Sequence, residues 1–479
     1  MKFGGTSVAD ALAISRVIGI VRDEVQRTGL PPVVIVSAMA GVTDSLLALA
    51  QTAADGDRDA ATRDLEQLRQ RHLNVTFQLI PETAAPNLRS DLERSFDDLR
   101  AIATAISVLR EASPRSLDAV ASAGELLSSR IVAEALNAAG VAAQFVDARR
   151  AIVTDDGYPA APIVSETRNR VGREVLPHLR RGLAPVIGGF VGATVAGVTT
   201  TLGRGGSDFS AAIVGAALHG LTDPDQSSDS VPAPAVRCRE IQIWTDVDGM
   251  LTADPRIVKN PSVVPRLSFA EASELAYFGA KVLHPSTILP AVQADIPVRI
   301  LNSRNPAASG TVISAAPSSD RHAVAALACK RQVTVVEITS TRMLMAHGFL
   351  RRLFQVFETH RTAVDVVTTS EVSVSVTVDD ARELKAIVKA LEEFAEVSVE
   401  RGMAILCAVG DSLRGDPRLA IRLLGALDGV PLRMVSQAAS RRNLTVVLNE
   451  RDLLAAMSRL HEASFATEGL VAAGRGEDR

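Results

Sequence analysis

Residues 188–208 read GGFVGATVAGVTTTLGRGGSD. Seven glycines, three consecutive threonines, one arginine and a closing aspartate share this stretch. The apolar residues 184–187 before it read as a buried strand, and 209–218 after it as a helix. A glycine-rich joint between strand and helix lets backbone amides approach an anion, because glycine has no Cβ and accepts positive φ. The helix start adds free N–H groups and a partial positive charge. The stretch therefore suits a phosphate or a carboxylate. Turn glycines alone would equally suit a surface loop. Arg204 and Asp208, flanking Gly205, Gly206 and Ser207, point toward chemistry.

The same logic recurs at the start of the chain. Lys2 would end a short strand, Gly4 and Gly5 would turn it, and Thr6 or Ser7 would cap a helix from residue 8 to about 26. Taken alone, KFGGTS is equally a capped turn with a solvated lysine. The β-branched run 33–37 reads as a parallel strand buried on both faces. It leads into SAMAGVTD, where Ser37, Thr43 and Asp44 offer oxygens ahead of a helix at 45–53. Residues 58–111 are charge-rich with helical spacing, a covering layer of several helices. In DAVASAGELL (118–127), Ser122 and Glu125 flank small residues at an expected helix start, where a lone glutamate is ordinarily a dipole-favoured residue. Residues 240–244 form a further strand, followed by TDVDGMLTADPR. Its acids Asp246, Asp248 and Asp254 suit Mg2+ or a ribose, or simply a turn cluster. FGAKVLHP then sets Lys281 and His284 beside a helix break at Pro285. Residues 221–236 are proline- and serine-rich and read as an extended surface loop.

The totals narrow the class. A chain of 479 residues suggests about three domains. Net charge is −4 and only 3% of residues are aromatic, which disfavours a nucleic-acid partner. Cys238, Cys329 and Cys407 are far apart and lack metal or disulfide spacing, so a reducing cytoplasm fits. No signal peptide and no membrane span is expected, since no apolar run reaches about 18 residues.

After residue 314 the texture changes. Strands and helices follow as βαββαβ over 333–399 and then βαββα over 404–463, a tandem of ferredoxin-like modules. The alternating strands and helices of 1–305 imply instead an α/β domain with a mostly parallel sheet, whose ligand sits at the carboxyl ends of the strands. The loops KFGGTS, SAMAGVTD, SAGE, TTTLGRGGSD and TDVDG follow expected strands and should meet at one edge. There is no G-x-x-x-x-G-K-[ST] and no G-x-G-x-x-G with its distant acid. Separate glycine turns, two lysines and several acids suit a nucleoside triphosphate with Mg2+ lying across a sheet edge.

In that order and spacing, KFGGTS, VTTTLGRGGSD, WTDVDG with TADPR, and FGAKVLHP make the chain resemble the aspartokinases of the amino-acid-kinase family, over essentially its whole length. The resemblance implies a three-layer α/β fold with a mostly parallel sheet, followed by two ferredoxin-like ACT modules. It implies limits of 1–305 for the catalytic domain, 306–330 for a linker, 331–400 and 401–479 for the modules, with their interleaving left open. It further implies phosphorylation of the β-carboxylate of L-aspartate by ATP with Mg2+. Lys2 resembles the lysine on the ATP phosphates and Asp208 the acid that positions it. Gly4, Gly5, Thr6, Ser7, Gly205, Gly206 and Ser207 resemble the backbone cradle, with Ser207 also at the substrate. Arg204 resembles the grip on the substrate α-carboxylate, and Glu125 the partner of its ammonium. Thr43 and Phe190 fall at substrate positions, and Thr245, Asp246, Arg256 and Lys281 at nucleotide positions. No side chain is assigned as a metal ligand.

In the first module, MLMAHGFL and VDVVTTSEVSVS resemble the effector site of lysine-inhibited aspartokinases. The positions are Met343, Phe349, Leu350, Val364, Asp365, Thr369, Ser370 and Glu371, with lysine the expected inhibitor and threonine the second choice. Paired ACT modules imply a homodimer or larger assembly. Three departures stand out: only Met1 precedes Lys2, Ala346 and Leu251 replace a serine and a tyrosine, and 221–236 is long. The alternatives are a glutamate or acetylglutamate kinase, which Arg204 and Glu125 oppose because both expect a free α-amino acid, and a catalytically dead sensor, which Lys2 and Asp208 oppose.

Overall fold

The structure, a computed structural model, describes residues 1–221, 235–279, 284–315, 323–340, 347–411, 413, 415–437 and 441–465. By internal contact the chain forms two units, Met1–Met250 with Leu283–Ala315, and Leu251–Val282 with Ala316–Arg479. Residues 251–282, which the sequence expectation assigns to the first domain, group by contact with the second unit.

In the first unit the strands are β1 (Lys2–Phe3), β2 (Val34–Val36), β3 (Ala143–Val146), β4 (Val153–Thr154), β5 (Ala184–Gly188), β6 (Val191–Thr194), β7 (Thr199–Thr201) and β8 (Ile241–Thr245). β9 (Arg266–Ser268) belongs to the second unit, and β10 (Val298–Asn302) and β11 (Thr311–Ser314) to the first. The main sheet of the first unit runs β3-β5-β2-β1-β8-β10-β11. Every neighbouring pair is parallel except β10–β11. The two-residue β1 lies between β2 and β8 at the centre, with Phe3 opposite Val36 and Trp244. Its β-branched neighbours on both sides are fully buried, as a parallel strand covered on two faces requires. Phe3 and Trp244 stack at 6.0 Å. A small second sheet, β4-β6-β7, carries the stretch quoted at the outset.

One face is covered by α1 (Ala11–Thr28), α2 (Val42–Ala54), α3 (Arg58–Leu79), α4 (Leu88–Leu109) and α5 (Pro114–Ala138). Leu46, Leu65, Leu92, Phe96, Leu127 and Ile131 fill one core beneath them. The charges of 58–111 lie on the outer side of two long helices, as their spacing implies. α6 (Ala148–Ala151), α7 (Val164–Glu174), α8 (Leu176–Arg180) and α9 (Gly206–Leu218) follow, then α10 (Phe269–Tyr277) in the second unit and α11 (Leu289–Gln293) in the first.

Several helix starts differ from expectation: α2 opens at Val42 rather than 45 and α9 at Gly206 rather than 209. Thr6 and Ser7 do not cap a helix. Gly5–Val8 forms a single 3-10 turn, and Asp10 caps α1 by accepting from Ala13 N. An aspartate in extended conformation at that point satisfies a free amide better than a hydroxyl already used elsewhere. Nor does SAGE start a helix: Ser113 caps α5 ahead of Pro114, which places Glu125 in mid-helix. The SAGE segment therefore does not follow a strand, unlike the loops after β1, β2, β7 and β8.

The second unit contains β12 (Ala326–Thr339), α12 (Phe349–Thr359), β13 (Val367–Thr369), β14 (Ser373–Val378), α13 (Leu384–Glu392), β15 (Glu396–Val409), α14 (Pro417–Ala426), β16 (Leu432–Ser436), β17 (Asn443–Asn449) and α15 (Leu453–Phe465). One sheet runs β13-β14-β12-β15-β17-β16. The expected strands at 396–399 and 404–409 are one 14-residue strand. Its first half pairs with residues 335–339 of β12 and its second half with residues 326–330. Each module thereby completes a four-stranded ferredoxin-like order. The strand missing from the βαββα of the second module is supplied by residues 326–330, ahead of the first module in sequence.

Candidate active site

Parallel pairing sends the carboxyl ends of β1, β2, β5 and β8 to one edge. Backbone bonds knit the turns there: Gly4 N donates to Trp244 O at 3.1 Å, Ser37 N to Phe3 O at 3.1 Å and Gly189 N to Val36 O at 2.8 Å. Ser7 is buried, its hydroxyl 2.8 Å from that of Ser303, which bonds the Thr245 carbonyl at 3.1 Å. This serine therefore ties the first turn to the end of β8, while Thr6 is exposed.

A cleft of about 350 Å³ opens at this edge. Lys2, Gly5, Thr43, Glu125, Phe190, Gly205, Gly206, Ser207 and Asp208 line it, with Ser37, Met39, Gly41, Asp44 and Gly203. The first nine are expected site residues. The others follow β2 or sit between marked glycines, and the position of their loop after a strand was the available signal. Gly4 lies beside the cleft, 3.6 Å from Lys2 Nζ measured from where its Cβ would be.

Lys2 is 8% exposed, and its Nζ lies 2.8 Å from Asp208 Oδ1. Asp208 sits in the first turn of α9, where the helix dipole favours its negative charge. The carboxylate thus orients the ammonium at the cleft wall. Close packing shapes the glycine turn: a Cβ on Gly206 would stand 2.6 Å from the Phe190 ring, and one on Gly189 2.7 Å from Ser207. Phe190 has φ +66, a conformation costing a bulky residue about 1–3 kcal/mol. Two hydrogen bonds hold it there: Phe190 N donates to Ser210 Oγ and its carbonyl accepts from Leu202 N, both at 2.9 Å.

Glu125 is 4% exposed and has no ion-pair partner among the described residues. Its Oε2 is buried without a hydrogen-bond partner. Burial pushes its carboxyl up to about 8, and backbone amides at Ala38 and Glu125 offset only part of that. A buried carboxylate so placed suits an incoming ammonium group.

The remaining expected residues are dispersed. Arg204 is exposed and does not line the cleft, although both its neighbours do. The left-handed glycines 203 and 205 carry its side chain outward. Thr245 ends β8 and its hydroxyl lies 3.2 Å from Asp246 Oδ1. Arg256 belongs to the second unit, exposed and in a two-pronged pair with Asp254. Lys281 and Met343 lie outside the described residues, as do residues 222–234 of the expected surface loop.

In the first module, Phe349 opens α12 with its ring 5.7 Å from Phe394, and Leu350 beside it is exposed. Val364 packs on the module's core. Asp365 takes the Lys330 ammonium at 2.7 Å. Thr369 ends β13, the hydroxyls of Ser370 and Ser373 are 2.8 Å apart, and Glu371 is exposed.

The sequence pattern of the amino acid kinase family matches residues 1–222 and 228–302, and that of the ACT domain residues 406–464. With the parallel sheet and its glycine-lined edge, this places the chain in the amino acid kinase family. It is 34% identical to lysine-sensitive aspartokinase 3 of Escherichia coli over 97% of this chain and 98% of that one. It is 37% identical to chloroplastic aspartokinase 3 of Arabidopsis thaliana over 98% and 82%. Among solved structures, E. coli aspartokinase III with lysine and aspartate matches at a TM-score of 0.78, 34% identity and 97% and 98% coverage. The aspartate kinase of Clostridium acetobutylicum matches at 0.81, 26% identity and 97% and 99% coverage. Within the family the chain is an aspartokinase, an ATP-dependent phosphotransferase carrying ACT modules.

Proposed function

We propose that the cleft transfers the γ-phosphoryl group of ATP, bound as its Mg2+ complex, to the β-carboxylate of L-aspartate. The product, 4-phospho-L-aspartate, begins the route to lysine, threonine and methionine. The observation that carries this reading is one cleft holding both the oriented Lys2–Asp208 pair and the unpartnered carboxylate of Glu125. E. coli aspartokinase III has been solved with aspartate and ADP, at 34% identity and a TM-score of 0.77 over 97% of this chain and 99% of that one.

A carboxylate with a pKa near 4 is already ionised at neutral pH, so the acceptor needs no general base. The difficulty is to bring two anions together in line, which preorganised positive charge and amides relieve. Lys2 supplies the charge, Asp208 aims it, and the backbone of Gly4, Gly5, Gly205 and Gly206 with Thr6 and Ser7 cradles phosphate. Glu125 receives the substrate ammonium, with Thr43, Phe190 and Ser207 around the substrate. Arg204 turns inward on its glycine joints to meet the α-carboxylate. Thr245, Asp246, Arg256 and Lys281 serve the nucleotide. Mg2+ enters with the nucleotide, bound to its phosphates. We assign catalysis to residues 1–305 and regulation to modules at 331–400 and 401–479; of the expected linker 306–330, residues 311–314 form β11 and 326–330 open β12.

Lysine is the proposed feedback inhibitor, acting at the first module. A relative carries lysine sensitivity in its name, and its kin was solved with lysine bound. The modules are proposed to pair into a homodimer, in the reducing cytoplasm where three free thiols persist. The deciding experiment is a hydroxamate assay with ATP and, in turn, aspartate, glutamate and N-acetylglutamate, each with and without lysine or threonine. Turnover of aspartate alone, inhibited by lysine, is expected. Turnover of another acceptor, or none, overturns the reaction, and indifference to both amino acids overturns the regulation.

A further inference from the structure

The helix that carries Glu125 also carries Asp118, two turns earlier. Its carboxylate takes both donors of one residue. Asp118 Oδ2 accepts from Thr201 N at 3.0 Å, and Oδ1 from the Thr201 hydroxyl at 2.7 Å. Thr201 is the last residue of β7 and lies just ahead of the turn that holds Arg204 and leads to Ser207 in α9. Its carbonyl accepts from Ala160 N at 3.0 Å. One step on, Pro159 packs so closely under Gly203 that an added Cβ would meet it at 2.8 Å. The chain is thus clamped through Leu202, whose N–H is held by the Phe190 carbonyl at 2.9 Å. Beyond it, Gly203 and Gly205, at φ +73 and +72, form the adjustable part.

A two-pronged grip on one residue fixes orientation as well as distance. Burial raises the Asp118 carboxyl above its ordinary range, and the two bonds from Thr201 counter that shift. The grip connects two elements that contribute opposite halves of the proposed amino-acid site. Glu125 on α5 receives an ammonium, while Arg204 lies on the turn after β7 and Ser207 at the start of α9 that follows it.

We propose that Asp118 is a positioning residue for the amino-acid substrate: through Thr201 it sets the span between the group that receives the α-ammonium and the turn that receives the α-carboxylate. The role rests on the reading of the cleft as an aspartate site. The same turn carries Gly205 and Gly206 of the phosphate cradle, but the clamp lies at its Arg204 end, so its effect falls on aspartate more than on the nucleotide.

The test is steady-state kinetics on the full chain for Thr201→Val, Thr201→Ser and Asp118→Asn, with thermal melting alongside. Thr201→Val keeps the β-branched shape and the N–H bond but removes the hydroxyl. Thr201→Val and Asp118→Asn are expected to raise KM for aspartate about tenfold, the scale of one lost charge-assisted bond, with KM for ATP within about twofold. Thr201→Ser, which keeps both donors, should match the parent. The proposal is overturned if aspartate KM is unmoved while the melting temperature falls, if both KM values rise together, or if Ser and Val behave alike. Should Asp118→Asn not fold, the Val and Ser pair alone decides. A parent chain that does not phosphorylate aspartate ends both readings, whereas an active parent with unmoved variants ends only the positioning role.

Discussion

Lys2 Nζ lies 2.8 Å from Asp208 at a helix N-terminus, so its charge is aimed into the cleft at no cost of reorganisation during the reaction. Lys2→Ala should lower kcat at least about a hundredfold, the scale for losing one preorganised donor, with a smaller change in KM for aspartate. Initial-rate kinetics check this, and unchanged turnover would remove Lys2 from the mechanism. Glu125 gives a second test through protons. Its folded-state pKa, about 8 against an ordinary 4.5, means the native chain holds a proton that the unfolded chain releases between those values. Stability from this group is therefore full at low pH and falls as pH rises from about 4.5 to 8. Glu125→Gln should flatten that fall in a series of melting curves. An arriving ammonium should expel the proton, so aspartate binding near pH 7 should release about one proton in the parent and none in the variant. Calorimetry in buffers of differing ionisation enthalpy measures it. Lys2 and the RGGSD turn were legible in sequence because glycines, hydroxyls and a charge sat together at a strand end. Glu125 was legible only by resemblance. Asp118 escaped notice because an aspartate one turn into a helix reads as an ordinary surface acid, and its partner Thr201 is 83 residues away.

The helices of the covering layer were readable from their 3.6-residue spacing, but their ends were not. SAGE looked like a start because small residues and a serine imitate a cap, while the real cap, Ser113 before Pro114, lay farther upstream. That error hid the reason Glu125 is buried: mid-helix, it faces Ala38 and Gly188 rather than solvent. Within the layer, His72 on α3 is fully buried, its ring 5.5 Å from Phe96 on α4. Nδ1 lies 2.7 Å from the Leu68 carbonyl and must donate to it, and burial lowers the ring's pKa to about 4. The unfolded chain takes up a proton near 6.5 that the folded one refuses until about 4. This contribution is present above pH 6.5 and lost as pH falls from there through 4. His72→Leu should therefore show a shallower loss of melting temperature between pH 6.5 and 4, whatever its stability at neutral pH. An unchanged slope would mean the ring is already charged in the core.

In the whole molecule, the sequence pattern revealed tandem modules but not how they share strands, since pairing between residues 326–330 and 405–409 leaves no local trace. On α12, Leu350 and Phe354 are 41% and 37% exposed along one side of a strongly amphipathic helix. Leu350→Glu and Phe354→Glu together should convert the proposed dimer to a monomer in sedimentation, with the parent running at twice that mass. A parent that is already monomeric removes the pairing. The two long strands β12 and β15 run through both modules. A fragment begun at residue 401 would consequently lack an edge of its own sheet and present bare backbone donors and acceptors to any strand nearby. A regulatory fragment keeps that edge only when it begins before residue 326. An amino acid held at Asp365 would compete with Lys330 for its carboxylate, just where a bulge with Gln332 at φ +58 joins the two halves of β12 and so the two modules.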